Sequence, residues 1–453
     1  MPAHKKRISR RVLLATSAIA AGAFFTPVAV NAATAGRAPV SREKENEVRA
    51  LESAANPLRS TEPGGSTADL RPLSSMIGNA KVVGLGEATH GSHEFFTMKE
   101  RVFRHLVEKK GFTTFSLEMS WPSGLQVEEY LQSGKGDVRK IAEEALGGSP
   151  WEREEFVSLI GWMRDHNRNH PNRAVHFMGN DVGAPTVSDE FFGRVTGYVQ
   201  RNHPDALPRL NELYAGLRPI DNVFAYLGKP LAERQELATK AQRALELVSS
   251  QASSDDEGFV WAEQDARSIA QTAKFLTIDV TSPESVATAQ RFRDQVMADN
   301  VTWWQRQTGG KILVSAHNDH VGYLAADPEM YPKTQGSFLR DTMGKNYLPI
   351  GFTFNQGSFL SKDAALGGEW KKFTVGAAGP GRNEHALDQV GYRDFYLDLR
   401  RTPAPARAWL NSARPTLSVG TQFPAEPRDI ALAKSFDVLI HLHEVREADK
   451  LKP

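Results

Sequence analysis

Residues Lys81 to Phe96 read KVVGLGEATHGSHEFF. Lys81 to Gly86 is short, apolar and glycine-bearing, as a buried strand would be, and Phe95 to Glu108 then carries apolar residues at helical spacing. Strand, polar loop and helix in that order form the repeating unit of an α/β sheet. The loop itself is crowded. Glu87, His90, His93 and Glu94 occupy it, where a plain solvated turn would carry lysine or serine.

Further along the chain, the same kind of short apolar run recurs at TTFSLEM, AVHFMGND, KILVSAHN, YLPIGFTF, FYLDL and DVLIHLHE, with helical periods between several of them, as in Glu155 to Asn167. The expected fold class is α/β: a mostly parallel sheet flanked by helices, with an inserted helical subdomain and a smaller C-terminal α+β part. The insertion covers 187–308, which has no strand pattern and carries leucine, alanine and charge at helical spacing, as in LAERQELATKAQRALELVSSQ. It divides the core into a first half, 67–186, and a second half with the C-terminal part, 309–453. A long insertion of this kind serves either to wall a binding site or as plain structural support. Residues 36–66 are polar and poorly patterned and are expected to be a linker leading into one short helix.

Residues 1–35 carry Lys5, Lys6, Arg7, Arg10 and Arg11 without an acid, then the apolar run VLLATSAIAAGAFF and the small triplet Ala33-Thr34-Ala35. That order reads as a secretory signal, and Ser9-Arg10-Arg11-Val12-Leu13-Leu14 fits the twin-arginine export pattern. The expectation is a secreted or extracytoplasmic protein that uses the twin-arginine machinery and keeps no stable membrane span after processing; an uncleaved anchor is the alternative. Five of the 55 Lys and Arg lie in that segment, so the remainder sets 50 against 54 acids, a net charge of about −4. A mildly acidic surface argues against nucleic acid as a partner. The chain has no cysteine, which excludes disulfides, thiolate zinc sites and iron–sulfur clusters.

In an open α/β sheet the ligand sits beyond the carboxyl ends of the strands. KVVGLG is followed by Glu87 and His90, TTFSL by Glu118, AVHFMGN by Asp181, and KILVSA by His317, Asn318, Asp319 and His320. If these strands are parallel neighbours, one edge gathers all of these groups. A dinucleotide loop does not fit: Gly84 and Gly86 complete only G-x-G-x-x-T, and Glu87 would face a pyrophosphate with a negative charge. There is no G-x-S-x-G elbow, and neither HEFFT nor HEVRE has the second histidine of a zincin helix.

Gly86-Glu87-Ala88-Thr89-His90-Gly91, Glu94-Phe95-Phe96, Gly111-Phe112-Thr113-Thr114-Phe115-Ser116-Leu117-Glu118 and Ala316-His317-Asn318-Asp319-His320 together resemble the erythromycin esterase family, from about Leu70 to about Glu444. The resemblance implies hydrolysis of an ester or lactone, the macrolide ring being one candidate. It makes His90 the base that activates water, Glu87 the group that orients it, and Glu118, His317 and His320 residues lining the same cleft. Family members carry arginine where this chain has Lys99, which keeps the charge and loses the planar fork; Arg101 would compensate if its helix turned it inward.

The residue chemistry points the same way. Ester hydrolysis needs a base near neutral pKa, a water and donors for the developing oxyanion. His90 would supply the first, with Lys99 or His317 as donor. Lys99 shares a helix face with Phe95, Phe96, Val102, Phe103 and Leu106, so it is expected against the sheet with Glu87 and Glu118 as partners, or else as a snorkelling lysine. Asp181 would line the substrate site, cap a helix or hold His317. His93 is expected at the surface, and His441 and His443 as structural residues. No cofactor is expected; the alternative is Zn²⁺ or Mn²⁺ on Glu87, His90, Glu118, His317 and His320. The competing class is a non-catalytic extracytoplasmic binding or polysaccharide-related protein on the same scaffold.

Overall fold

The computed structural model describes residues 42–252 and 257–451. The signal segment 1–35 and the first residues of the expected linker therefore lie outside the described residues. The rest of 36–66 holds the expected short helix, Arg42–Ala54, and is also docked on the core: Leu51 and Leu58 are buried, and Asn56–Pro57 (β1) pairs with Phe395–Tyr396.

The strands that follow are β2 (Val82–Leu85), β3 (Phe112–Ser120), β4 (His176–Asp181), β5 (Lys311–Ser315), β6 (Tyr347–Asp363), β7 (Gly367–Val375), β8 (Phe395–Asp398), β9 (Arg414–Thr416), β10 (Gln422–Phe423), β11 (Arg428–Ile430) and β12 (Val438–Val445). The main sheet runs β1-β8-β12-β6-β2-β5-β3-β4, with β7 and β10 added along β6. From β12 to β4 every neighbouring pair is parallel; β8, β1 and β7 are antiparallel to their partners. The expected α/β class with a mostly parallel sheet is the one observed.

All four residues of β2 are buried because both sheet faces are covered, which explains the continuous apolar run. Alternate side chains serve opposite cores: Val82 packs in one cluster, Val83 and Leu85 in the other. The helix His93–Lys110 after β2 packs on the second face, stopped by Gly111 in the left-handed region at φ 68°. The helix Gln335–Met343 after β5 places Leu339 in the first core. Adjacent parallel strands whose connections leave to opposite faces open a crevice at their carboxyl ends. That crevice lies between β2 and β5.

Between β4 and β5 the described residues form helices and no strand, ending in Pro283–Thr308, which starts at a capping box between Ser282 and Ser285. One element gave no sequence signal. β6 extends well beyond YLPIGFTF and folds back as β7, whose residues are mostly exposed, so no apolar alternation marks it.

Candidate active site

The loop after β2 is pinned on both sides. Asn318 N–H donates to Glu87 O, Leu360 N–H donates to Gly91 O, and a Cβ on Gly91 would lie 2.0 Å from Leu360 O. Only glycine permits that approach. The loop thereby buries Glu87 completely and His90 to 3% exposure.

His90 Nδ1 stands 2.5 Å from Glu87 Oε1, and the Lys99 ammonium donates to Glu87 Oε2 and, at 3.4 Å, to Ala316 O. Lys99 is fully buried and does not snorkel. Burial pushes the Glu87 carboxyl up, but Lys99 and His90 together outweigh it and hold the group below its ordinary value. Burial draws Lys99 down against the pull of Glu87. The outcome is an anion between two donors, with His90 Nε2 left as the nitrogen for chemistry.

His317 caps the short helix Asn318–Val321: its Nδ1 accepts the Asp319 N–H at 3.3 Å, with Asp319 Oδ2 at 3.4 Å. Nδ1 thus faces both an N–H and a carboxylate oxygen of Asp319, and the other ring nitrogen is Nε2. That Nε2 is buried without a hydrogen-bond partner, and the ring lies 4.9 Å from the His90 ring, centroid to centroid. The His317 N–H donates to Glu118 Oε2 at 2.9 Å.

Behind this pair lies a buried ionic network. Glu118 Oε1 accepts from Arg293 Nη2 at 2.9 Å and faces His320 Nε2 at 3.2 Å; His320 Nδ1 is 2.8 Å from Asp294 Oδ1. Arg293 forks onto Asp181 through Nε and Nη2 at 2.8 and 2.5 Å. Burial lowers the His320 pKa, but Asp294 and Glu118 reverse this and raise it to about 10. Glu118 is pushed up by burial, yet His320, His90 and Arg293 bring it well below its usual range.

Glu87, His90, Lys99, Glu118, Asp181, His317 and His320 are thus joined at the strand ends, and Asp181 anchors Arg293 rather than His317 or a helix. Arg101 is the correction. It lies two residues from Lys99, a rotation of about 200° around a helix, and so faces away to bind Asp69 and Ser66 O. His93 is half-buried against Glu155 and Glu62 rather than free at the surface. His441 and His443 face Asp388.

Sequence reading missed Arg293, Asp294 and Trp151, whose ring edges His90 at 5.7 Å. Arg293 and Asp294 share the buried face of Pro283–Thr308 with Ala289, Val296 and Met297, so charged residues in line with apolar ones were the available signal. As ligands for Zn²⁺ or Mn²⁺ the residues considered are poorly disposed, since Lys99 and Arg293 already sit on the carboxylates a dication would need. Among the described residues, only His93, Glu155 and Asp449 bring three such donor atoms within 4.8 Å of one another.

His90 stands where two cavities meet. One is a cleft of about 590 Å³ reaching to Trp151, Phe224, Phe275 and Trp370; the other is a smaller cavity lined by His317, Asp319, His320, Met330 and Tyr331. The family model for erythromycin esterase matches residues 107–445. The chain belongs to the erythromycin esterase family. The matched span takes in Glu118, Asp181, Arg293, His317 and His320 and begins after Glu87, His90 and Lys99. Erythromycin esterase type II of Escherichia coli is 22% identical over 388 residues, covering 79% of this chain and 90% of that protein. A crystallised succinoglycan biosynthesis protein is 32% identical with a TM-score of 0.80, covering 90% of this chain and 99% of the other. An erythromycin esterase variant crystallised in its open conformation superposes with a TM-score of 0.67 at 16% identity, over 87% of this chain and 98% of that one, a likeness of fold. Membership of the erythromycin esterase family supports a hydrolase.

Proposed function

We propose that this chain is an exported hydrolase that cleaves an ester or lactone with water activated by His90, without a metal and without a covalent intermediate. The observation that carries the reading is the Lys99–Glu87–His90 relay, which fixes Nδ1 and leaves Nε2 at the junction of two cavities. A water bound between them forms its bond to the carbonyl carbon as its proton passes to Nε2. Glu87 stabilises the imidazolium so formed. The His317 Nε2–H is the donor for the oxyanion. When the tetrahedral species collapses, the ester C–O bond breaks and His90 returns the proton to the leaving alkoxide.

A cleft of about 590 Å³ suits a small-molecule ester or macrolactone of drug size. Export through the twin-arginine machinery rests on residues 1–35. Incubating the purified protein with erythromycin and with simple aryl esters, and reading product mass, tests the reading: addition of one water to the substrate is expected, and no turnover of any ester would overturn it.

A further inference from the structure

One wall of the large cleft is built from donors that have no acceptors. Trp151, Lys362, Trp370 and Thr421 line it, and Arg153 lies behind, its guanidinium 5.4 Å from the Trp370 ring centroid. The Lys362 ammonium sits at the same distance, 5.4 Å, from that ring. Trp151 Nε1, Trp370 Nε1, Thr421 Oγ1 and both Nε and Nη2 of Arg153 are buried without a hydrogen-bond partner. Arg153 is only 4% exposed, and its single side-chain bond goes to the Glu152 carbonyl. Lys362 is half-buried, and burial draws its amine below the usual lysine value. Unsatisfied buried donors and two cations around one indole are costly unless an acceptor completes them.

No nearby acid hydrogen-bonds the Arg153 guanidinium: Glu155 gives Oε1 to His93 and to the Asp449 N–H and keeps Oε2 buried without a partner, Glu152 accepts from the Gly148 N–H, and both act on Arg153 only through their charge. Glu118 and Asp181, also on the cleft, are held by Arg293. The cleft also has apolar lining, with Val223, Phe224 and Phe275 supplied by the helical insertion. Trp151 joins the donor wall to the reacting centre through its contact with the His90 ring.

Resting on the hydrolase reading above, we propose that this wall is an anion subsite: Lys362 and the Trp151 and Trp370 indole N–H groups, backed by Arg153, take a carboxylate carried by the substrate. The substrate class is then an amphiphilic ester with an apolar body and an anionic arm. A neutral ester loses the charge-assisted contacts, and a cationic one meets repulsion.

Two 4-nitrophenyl esters of equal chain length, the hexanoate and the hemiadipate, test it. In low salt the hemiadipate should show a kcat/KM about tenfold higher, carried by KM, and added NaCl should narrow the gap. Lys362→Met should cut the ratio between the two esters by about fivefold or more. Arg153→Met should cut it as well, and if that variant does not fold, Lys362→Met still decides. Equal kcat/KM for the two esters, or a ratio unchanged in Lys362→Met, overturns the proposal. If Arg153→Met lowers stability and leaves the ratio alone, the part of the proposal that gives Arg153 to the subsite is overturned. Should neither ester be cleaved, the hydrolase reading falls and the subsite is read separately by calorimetry with adipate. Adipate binding that weakens about fivefold in Lys362→Met sustains the subsite, and absent or unaltered binding ends it.

Discussion

Glu87 bridges His90 to Lys99: one carboxylate oxygen is 2.5 Å from the His90 Nδ1, and the other accepts from the lysine ammonium. A buried carboxylate stays anionic here because two donors face it, and the histidine's tautomer and direction follow from that charge.

His90→Ala should therefore lower kcat/KM by on the order of 10²–10⁴ as the general base is lost, while the far-UV spectrum and melting temperature stay near those of the parent. Turnover within a few-fold of the parent in a folded His90→Ala protein would move the chemistry to another residue.

Lys99→Met removes the cation and leaves Glu87 buried with His90 as its remaining side-chain donor. Its carboxyl, now held low, should rise, so the acid limb of the kcat/KM profile should move to higher pH. Turnover at neutral pH should fall strongly. A pH profile that superposes on the parent's would show that the lysine has no part in setting the charge of Glu87.

His320 gives a pH dependence of stability rather than of rate. Its folded pKa of about 10 lies above the ordinary 6.5, so its contribution is fully present below pH 6.5 and is lost as pH rises towards 10. Urea midpoints measured from pH 6 to pH 10 should decline in the parent, and His320→Asn should be less stable at pH 6 with a flatter decline. Parallel curves for the two proteins would place the titration elsewhere.

Arg293 and Arg101 are both buried, and their substitutions should part ways. Arg293→Met strands Glu118 and Asp181 in the interior and should cost about 3 kcal/mol or more by urea denaturation, with activity falling alongside as His317 loses its anchor on Glu118. Arg101→Met breaks the pair with Asp69 and should lower stability, yet the folded fraction should keep the parent's kcat/KM. Strong loss of kcat/KM in folded Arg101→Met would return that arginine to the cleft.

Dialysis against a strong chelator should leave activity unchanged, with elemental analysis finding no stoichiometric metal. Reversible loss, restored by Zn²⁺ or Mn²⁺, would recast the buried carboxylates and histidines as ligands.

The sequence by itself determined the sheet and its rich edge. A parallel strand covered on both faces carries a mainly apolar run, so β2, β3, β4 and β5 announce themselves, and residues at or directly after the strand ends gather at the same edge whatever the helices do. Glu87, His90, Glu118 and His317 were legible for that reason. Only the tertiary structure decided what faces them. Arg293 is 112 residues from Asp181 and 175 from Glu118, and nothing in a helical pattern encodes a partner at that separation. Lys99 and Arg101 look alike in the sequence, and the rotation of one helix separates a residue of the relay from a distant salt bridge. The donor wall draws Trp151 from the loop before Glu154, Lys362 from the end of β6, Trp370 from β7 and Thr421 from the loop before β10, segments far apart in the sequence that line one cleft only in the folded chain. Local pattern follows from burial of the backbone, whereas a site's charge balance is set by contacts between distant segments.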